Sequence, residues 1–127
     1  MSLLLDTHVF LWFDAGSQRL RPKVRKLIAL TEQSVFVSAA TFWEIAIKRR
    51  TGKLVLDGSP RVAAAAAGFI ELPIDASDAE TAGALDWEHR DPFDRMLVAH
   101  CLNRALTLVT ADAALQSRSD IAVIGAE

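Results

Sequence analysis

Short apolar runs alternate with amphipathic helical patterns along the whole chain, and no other feature of the sequence restricts the fold as much. Each of five runs has the length and composition of a buried strand. They cover residues 3–5, 34–37, 69–72, 106–109 and 121–124. Because most residues in these runs are apolar, they predict strands that are covered on both faces, as in a parallel sheet.

Helical segments with recognisable first residues separate these runs. The segments are 7–13 after Asp6, 23–30 after Pro22, 39–50 after Ser38, 61–68 after Pro60, 76–85 after Asp75 and 93–105 after Pro92. Serine and aspartate accept hydrogen bonds from the free N–H groups of a first helical turn, and proline fits the first helical position. The repeated order of strand and helix predicts an α/β fold with a mostly parallel sheet and right-handed crossovers.

The size and composition of the chain suit one domain covering residues 1–127. A hydrophobic fraction of 51% is high for a small chain, which predicts self-association as well as a covered sheet. The net charge of −2 gives no overall attraction to nucleic acid, so an anionic partner would have to meet local basic patches or a metal ion. The single cysteine, the N-terminal sequence and the short apolar runs predict a cytoplasmic protein without a membrane segment.

Four acidic residues are placed along the chain in a way that predicts a metal site. Asp6 directly follows the first predicted strand, and Asp112 comes shortly after the fourth. Glu44 and Asp94 lie on helical faces that would pack toward the sheet. Functional groups of parallel sheets collect beyond the carboxyl ends of the strands, and carboxylates are the ligands that Mg²⁺ and Mn²⁺ prefer. The pattern therefore predicts a divalent-metal site at this edge of the sheet.

Each acid also has a purely structural explanation when it is taken alone. Asp6 and Asp112 could cap the helical turns that follow them, and Asp94 lies in a first turn after the cap residue Asp91. Glu44 could pair with the lysine four residues later. The four together are harder to explain, because two carboxylates at about 4 Å repel each other by about 4 kcal/mol at an effective dielectric of 20. A divalent cation would remove that repulsion.

The other polar and aromatic candidates favour structural roles. The three histidines lack the paired spacing of a zinc site, and Cys101 suits a small core position. All three tryptophans suit the core or an interface rather than stacking on nucleic-acid bases. A basic group follows Glu44 and consists of Lys48, Arg49, Arg50 and Lys53. It is either a solvated face or a contact for a phosphodiester backbone beside the acids.

Four sequence blocks resemble those of one family. They are Leu-Leu-Asp-Thr-His at 4–8, Val-Ser-Ala-Ala-Thr-Phe-Trp-Glu-Ile-Ala-Ile-Lys at 37–48, His-Arg-Asp-Pro-Phe-Asp-Arg-Met-Leu-Val-Ala at 89–99 and Leu-Val-Thr-Ala-Asp at 108–112. In content, order and spacing, these blocks resemble PIN-domain ribonucleases of the VapC toxin type, and they span nearly the whole chain. The resemblance implies a PIN-like three-layer sandwich in which helices flank a mostly parallel central sheet of four to five strands.

The resemblance also implies an activity and the residues that carry it. Proteins of this kind are Mg²⁺- or Mn²⁺-dependent endoribonucleases, commonly dimeric, that a small cognate antitoxin inhibits. Carried over to this chain, the metal-site acids and a hydroxyl helper are Asp6, Glu44, Asp94, Asp112 and Thr110. We expect Asp6, Asp94 and Asp112 to be the main metal ligands, while Glu44 completes the charge and orients the attacking water. Metal-activated water would leave a 5′-phosphate and a 3′-hydroxyl. Asp91 is expected to be a cap or an acid outside the ligand set.

Two other functions stay open on the sequence alone. A non-catalytic module would keep the acids and act by binding RNA or an antitoxin. A Mg²⁺-dependent phosphoaspartyl phosphotransferase or phosphatase would also place acids at strand ends. Its dehalogenase-like form needs a second acid two residues after the nucleophile, where this chain has His8. This class therefore ranks below the nuclease.

Overall fold

The predicted alternation of strands and helices is present in the computed structural model, which describes residues 1–30 and 32–127. The strands are β1 (Ser2–Leu5), β2 (Ser34–Ser38), β3 (Ile70–Leu72), β4 (Thr107–Thr110) and β5 (Ala122–Gly125). The helices are α1 (Thr7–Ala15), α2 (Pro22–Ala29), α3 (Ala39–Arg50), α4 (Pro60–Ala66), α5 (Ala76–Ala84), α6 (Pro92–Arg104) and α7 (Ala113–Gln116). The observed bounds differ from the predicted ones by one or two residues at most ends.

All five strands run parallel, in the order β3-β2-β1-β4-β5. The central strand β1 pairs with β2 on one side and with β4 on the other, so that Leu4 lies opposite Phe36 and Leu108. The chain moves outward from β1 to β3 and then crosses back to β4, which reverses the strand order between β1 and β4. A reversal of this kind opens a crevice beyond the carboxyl ends of the two strands, where parallel sheets bind ligands.

Helices cover both faces of the sheet, because successive residues of a strand point to opposite sides. Leu3 and Leu5 pack into a core with residues of α1 to α4, whereas Leu4 packs into a second core with residues of α6 and α7. All three leucines are fully buried. The predicted three-layer α/β sandwich is thus confirmed. The expectation of buried strands fails at the edge of the sheet, where Ile70 of β3 is 45% exposed.

Local capping positions the helices that carry the acids. Asp6 and Ser38 cap α1 and α3 through their side chains, and Asp112 caps α7. Each of these helices directly follows a parallel strand, so its first turn lies at the carboxyl edge of the sheet. No helix in the described part of the chain has the length and apolar character needed to cross a membrane.

Candidate active site

Asp6 is a buried acid at the end of the central strand. Its Oδ1 accepts a hydrogen bond of 2.8 Å from the backbone N–H of Val9, and its Oδ2 accepts one from the Thr110 hydroxyl. The residue is only 4% exposed. Burial raises the pKa of Asp6, the two hydrogen bonds oppose the rise, and repulsion from Asp112 adds to it. A carboxylate in this environment is stabilised by a nearby positive charge.

Thr110 and Asp112 complete the site at the end of the neighbouring strand β4. The fully buried Thr110 hydroxyl donates to Asp6 and accepts a bond of 3.0 Å from the backbone N–H of Asp112. The carboxylate of Asp112 is exposed and caps α7 by accepting from Ala114 N–H at 2.8 Å. Burial is the larger cause of the raised pKa values of Asp6 and Asp94, and repulsion from Asp112 contributes to both. Asp112 therefore interacts electrostatically with both other predicted ligands.

Asp94 lies in the first turn of α6, next to a histidine that precedes the helix. His89 Nε2 is 2.7 Å from Asp94 Oδ2. Burial raises the pKa of Asp94 to about 6, with the His89 hydrogen bond opposing the rise and repulsion from Asp91 and Asp112 adding to it. The environment of this carboxyl group therefore disfavours its charged form in the metal-free protein.

Asp91 takes the first of the two roles that the sequence left open, the helix cap. Its Oδ1 accepts hydrogen bonds from the backbone N–H groups of Phe93 at 2.9 Å and Asp94 at 3.2 Å, so it is the N-cap of α6. In the described part of the chain, His89, Asp91 and Asp94 also form a group whose possible ligand atoms all lie within 4.8 Å of one another. A set of carboxylate and imidazole donors suits Mn²⁺ and related divalent ions.

Glu44 approaches this edge from α3, where it is buried and fully paired. Its Oε1 accepts a hydrogen bond of 2.6 Å from the hydroxyl of Thr7, the residue that follows Asp6. Its Oε2 lies 2.7 Å from Lys48 Nζ. The predicted ion pair with the lysine one turn later is thus present, but the carboxylate is only 8% exposed and does not lie on the helix surface. Thr7 connects Glu44 to the chain segment that carries Asp6.

The residues at this edge fit a divalent cation. Among the described residues, the salt bridges of lysine and arginine go to acids other than Asp6, Asp94 and Asp112. Burial and mutual repulsion raise the pKa values of Asp6 and Asp94, so a cation would stabilise their charged forms. Oxygen donors of this kind match the preferences of Mg²⁺ and Mn²⁺.

The decisive comparison is with protein families, because the PIN domain matches residues 3–120. The chain belongs to the PIN domain family. The resemblance seen in the four sequence blocks is thereby confirmed at the level of the domain. No curated protein matches the sequence at a significant level.

Solved structures share the fold of this PIN domain over nearly their full length. VapBC2 from Rickettsia felis, bound to a DNA fragment from the promoter, gives a TM-score of 0.74 at 13% identity, with 100% of both chains covered. DNA-bound VapBC from Salmonella typhimurium gives 0.67 at 18% identity, with 98% of both chains covered. FitAcB from Neisseria gonorrhoeae gives 0.63 at 24% identity, with 97% of this chain and 96% of the other covered. At these identities the similarity concerns the fold.

A cavity of about 180 Å³ opens beside the acids of the PIN domain. Its lining residues are Asp6, His8, Trp12, Arg19, Ala111, Asp112 and Glu127. Trp12 packs partly against the hydrophobic core, as predicted, and it also lines this cavity. The available signal for the cavity contact was the spacing of four residues between His8 and Trp12, which places both rings on one face of α1.

The sequence analysis also missed His89, which a rigid loop holds against Asp94. The His89 ring stacks on Trp87 with a centroid distance of 4.6 Å, and the Arg118 guanidinium covers the Trp87 ring at 4.7 Å. Arg95 donates hydrogen bonds to five backbone carbonyls of this region, those of Ala82, Gly83, Leu85, Trp87 and His89. His89 precedes the helix, where no periodicity predicts the direction of a side chain. Its position in the third sequence block was the only hint.

The predicted RNA-binding residues have different surroundings. Lys48 forms an ion pair with Glu44, which is a proposed site residue. Arg49 is exposed and donates a hydrogen bond of 3.0 Å to the carbonyl of Gly58. Arg50 and Lys53 are exposed at the end of α3. Contact of this group with an RNA backbone stays a prediction.

Cys101, by contrast, is buried in the core as expected, and burial raises the pKa of its thiol to about 12.

Proposed function

We propose that this PIN-domain protein is a Mg²⁺- or Mn²⁺-dependent endoribonuclease that acts as a VapC-type toxin of a toxin–antitoxin pair. The observation that carries the proposal is the position of Asp6 and Asp112 after the neighbouring parallel strands β1 and β4, with repulsion from Asp112 contributing to the raised pKa of both Asp6 and Asp94. Family membership and the fold shared with VapBC and FitAB complexes support the same function.

Each site residue receives a role from its surroundings. Asp6, Asp94 and Asp112 would hold the cation, and the bound cation would supply charge neutralisation and Lewis acidity for phosphodiester hydrolysis. Thr110 fixes the orientation of the Asp6 carboxylate by its hydrogen bond. Glu44, held by Thr7 and Lys48, would orient the attacking water. The products would carry a 5′-phosphate and a 3′-hydroxyl.

The proposed partners follow from the same comparisons. Structurally similar proteins are described as VapBC or FitAB assemblies, so we propose a small cognate antitoxin for this chain. We further propose that residues 1–127 act as one domain in a cytoplasmic homodimer. The basic residues at the end of α3, Lys48, Arg49, Arg50 and Lys53, would contact the RNA backbone beside the acids.

Cleavage of cellular RNA by the partner-free protein tests the activity. We expect new 5′ ends in the presence of Mg²⁺ or Mn²⁺, and none with EDTA. Asp94→Asn should lower the cleavage rate by about a hundredfold or more, because it removes a metal ligand. It should not unfold the protein, since the amide replaces a carboxylate whose pKa is raised by its surroundings. Mapping the 5′ ends measures the rate and identifies the cleaved sequence together.

Asp75→Asn is a suitable control for this experiment. Asp75 caps α5, and asparagine caps helices equally well, so the variant loses one carboxylate outside the site and keeps the helix start. It should cleave RNA at the wild-type rate. If folded wild-type protein cleaves nothing with either metal, a non-catalytic RNA- or antitoxin-binding module becomes the better description. If Asp94→Asn cleaves at the wild-type rate, the assignment of the site is wrong.

A further inference from the structure

The cavity beside the acids has a lining that neither metal binding nor water activation explains. Besides Asp6 and Asp112, the lining includes His8, Trp12 and Arg19. Aromatic rings and a guanidinium are the groups that proteins use to bind single-stranded nucleic acid, by stacking on the bases and by contacting phosphates. We propose that this cavity is a nucleotide subsite in which one base of a single-stranded RNA stacks on Trp12. The inference rests on the proposed nuclease function and extends it to the substrate.

Hydrogen bonds hold the backbone of Trp12, and core packing holds part of its ring. The Trp12 carbonyl accepts hydrogen bonds from the backbone N–H of Ser17 at 2.9 Å and from Arg25 at 3.2 Å. Part of the indole packs on the hydrophobic core, while another part lines the cavity. A ring that is held in this way loses little conformational entropy when a base stacks on it.

Arg19 covers the indole loosely, in the place that a base would take. Its guanidinium carbon lies 4.5 Å from the centroid of the Trp12 ring, and its Nε lies 3.0 Å from Glu127 Oε2. The Arg19 side chain is 64% exposed, so neither the ion pair nor the cation–π contact holds it strongly. A base can therefore displace the guanidinium from the ring. Arg19 would then exchange Glu127 for a phosphate of the RNA, which accepts bidentate hydrogen bonds from a guanidinium as a carboxylate does.

The charged groups of the lining divide between the proposed metal site and the proposed subsite. Asp6 and Asp112 would bind the cation, which would neutralise their charge. Arg19 supplies a permanent positive charge to the lining and pairs with Glu127. The His8 ring lies 6.2 Å from the Trp12 ring at an angle of 45°, so the two rings are not stacked on each other. RNA bound in this way places its backbone between Arg19 and the metal-site acids.

Binding of a fluorescein-labelled single-stranded RNA, compared with an abasic oligonucleotide of the same length, tests the subsite. All measurements use an Asp94→Asn background, in which cleavage is blocked. Trp12→Leu should weaken binding of the RNA by roughly five- to a hundredfold, the usual contribution of one stacked base. It should leave binding of the abasic oligonucleotide unchanged. Trp12→Phe keeps an aromatic ring and should restore most of the affinity, which also controls for folding.

Arg19→Gln addresses the phosphate contact separately. It should weaken binding of the RNA and of the abasic oligonucleotide to a similar extent. The slope of log affinity against log salt concentration should fall by about one, because one phosphate contact fewer releases about one counterion fewer. An equal loss for both probes in Trp12→Leu, or no loss in either, would overturn the base-stacking subsite. RNA binding that is unchanged in Trp12→Leu, together with weaker co-purification of a small partner protein, would assign the cavity to a protein segment and would also overturn it.

The two proposals fail in different ways. Base-dependent binding through Trp12 by a wild-type protein that cleaves no RNA would contradict the nuclease and leave the subsite standing. Cleavage that needs Asp94 but is accompanied by base-independent binding would contradict the subsite alone.

Discussion

At the scale of single residues, the pair of His89 and Asp94 shows how the site orients a carboxylate. The imidazole donates to Asp94 Oδ2 from a loop that Arg95 and the stack on Trp87 hold in place. The hydrogen bond favours the charged form of Asp94, in opposition to burial and to the repulsion of neighbouring acids. Partners of this kind orient metal ligands and increase their affinity for the ion. We therefore expect His89 to position Asp94 for a metal ion.

Replacing His89 tests this role without measuring cleavage. His89→Phe keeps a ring to stack on Trp87 but removes the donor, so we expect the Mn²⁺ affinity at neutral pH to fall by roughly 10- to 100-fold. His89→Gln restores an N–H donor of similar reach and should recover most of the affinity. Electron paramagnetic resonance of free Mn²⁺ measures both. Equal affinities for the wild type and His89→Phe would show that the ring only fills space in the loop.

Residue identity and local spacing predicted some of these positions and missed others for physical reasons. Asp6 and Asp112 were predictable, because an acid directly after a strand of a parallel sheet lies at its carboxyl edge. His89 and Trp12 were not, since their roles depend on contacts across loops and on a cavity between separate elements. Glu44 was predicted at the site, but its hydrogen bond from Thr7 joins residues from two helices and is not encoded by spacing.

At the scale of elements, a buried polar network joins the helices that carry the acids. Ser38 caps α3 by accepting from Ala40 N–H, and its Oγ lies 2.7 Å from His100 Nε2 on α6. His100 Nδ1 lies 3.4 Å from Asp78 Oδ2 on α5. Serine, histidine and aspartate in this order also occur in hydrolases, but here all three are fully buried, so no substrate reaches the hydroxyl. The network fixes α3 and α6 relative to each other.

Asp78 is the charged centre of this network, and its removal should destabilise the fold. Its carboxylate accepts hydrogen bonds of 2.6 and 2.9 Å from Arg104 and one of 3.0 Å from Asn103. Asp78→Asn should lower the free energy of unfolding by about 3 kcal/mol, because it removes one partner of a buried ion pair. Asp75→Asn keeps its cap and loses only an exposed ion pair with Arg104, so it should cost less than about 1 kcal/mol. Urea unfolding measures both, and equal costs would contradict the network's role.

The difference in free energy of unfolding between wild type and Asp78→Asn should also depend on pH. Burial acts to raise the pKa of Asp78, but hydrogen bonds from Arg104 and Asn103 outweigh it and hold the pKa below the ordinary value of 3.8. A carboxyl group whose pKa is lowered by folding stabilises the native state above its unfolded pKa. The stabilisation is lost as the pH falls through the folded pKa. The difference in free energy of unfolding between the two proteins should therefore be constant near neutral pH and become smaller below about pH 4.

The order and type of the elements were predictable because their signals are local. Ser38 and Asp75 cap the helices that the sequence indicated, and Asp75 with Asp78 forms a full capping box. The contact between Ser38 and His100 spans 62 residues and depends on how three helices pack. Periodicity predicts which face of a helix is buried, but it does not predict which polar groups meet beneath that face. The sequence patterns therefore could not predict this network.

At the scale of the whole molecule, an apolar surface lies beside the site. Trp43 and Ile47 are one turn apart on α3 and are 57% and 40% exposed. The Trp43 ring meets Phe93 of α6 edge to face at a centroid distance of 5.1 Å. Trp43 and Phe93 border a cleft of about 230 Å³ that Ile74 and Met96 also line. Exposed apolar surface of this kind is typical of protein interfaces, and the self-association expected from the composition stays a prediction.

We expect this surface to form the interface of the proposed homodimer. Trp43→Glu should raise the dimer dissociation constant by roughly thirtyfold or more, because a large aromatic residue at the centre of an interface contributes at least about 2 kcal/mol. Val62→Glu changes an isolated residue of α4 that is 68% exposed and should leave the dimer intact. Sedimentation velocity over a range of protein concentrations measures both variants. A wild type that stays monomeric throughout, or a Trp43→Glu variant that dimerises as well as Val62→Glu, would contradict this interface.

Trp43 directly precedes Glu44, and Phe93 directly precedes Asp94. A second protomer on this surface would therefore lie beside two of the site acids, so that dimerisation would limit the directions from which RNA reaches them.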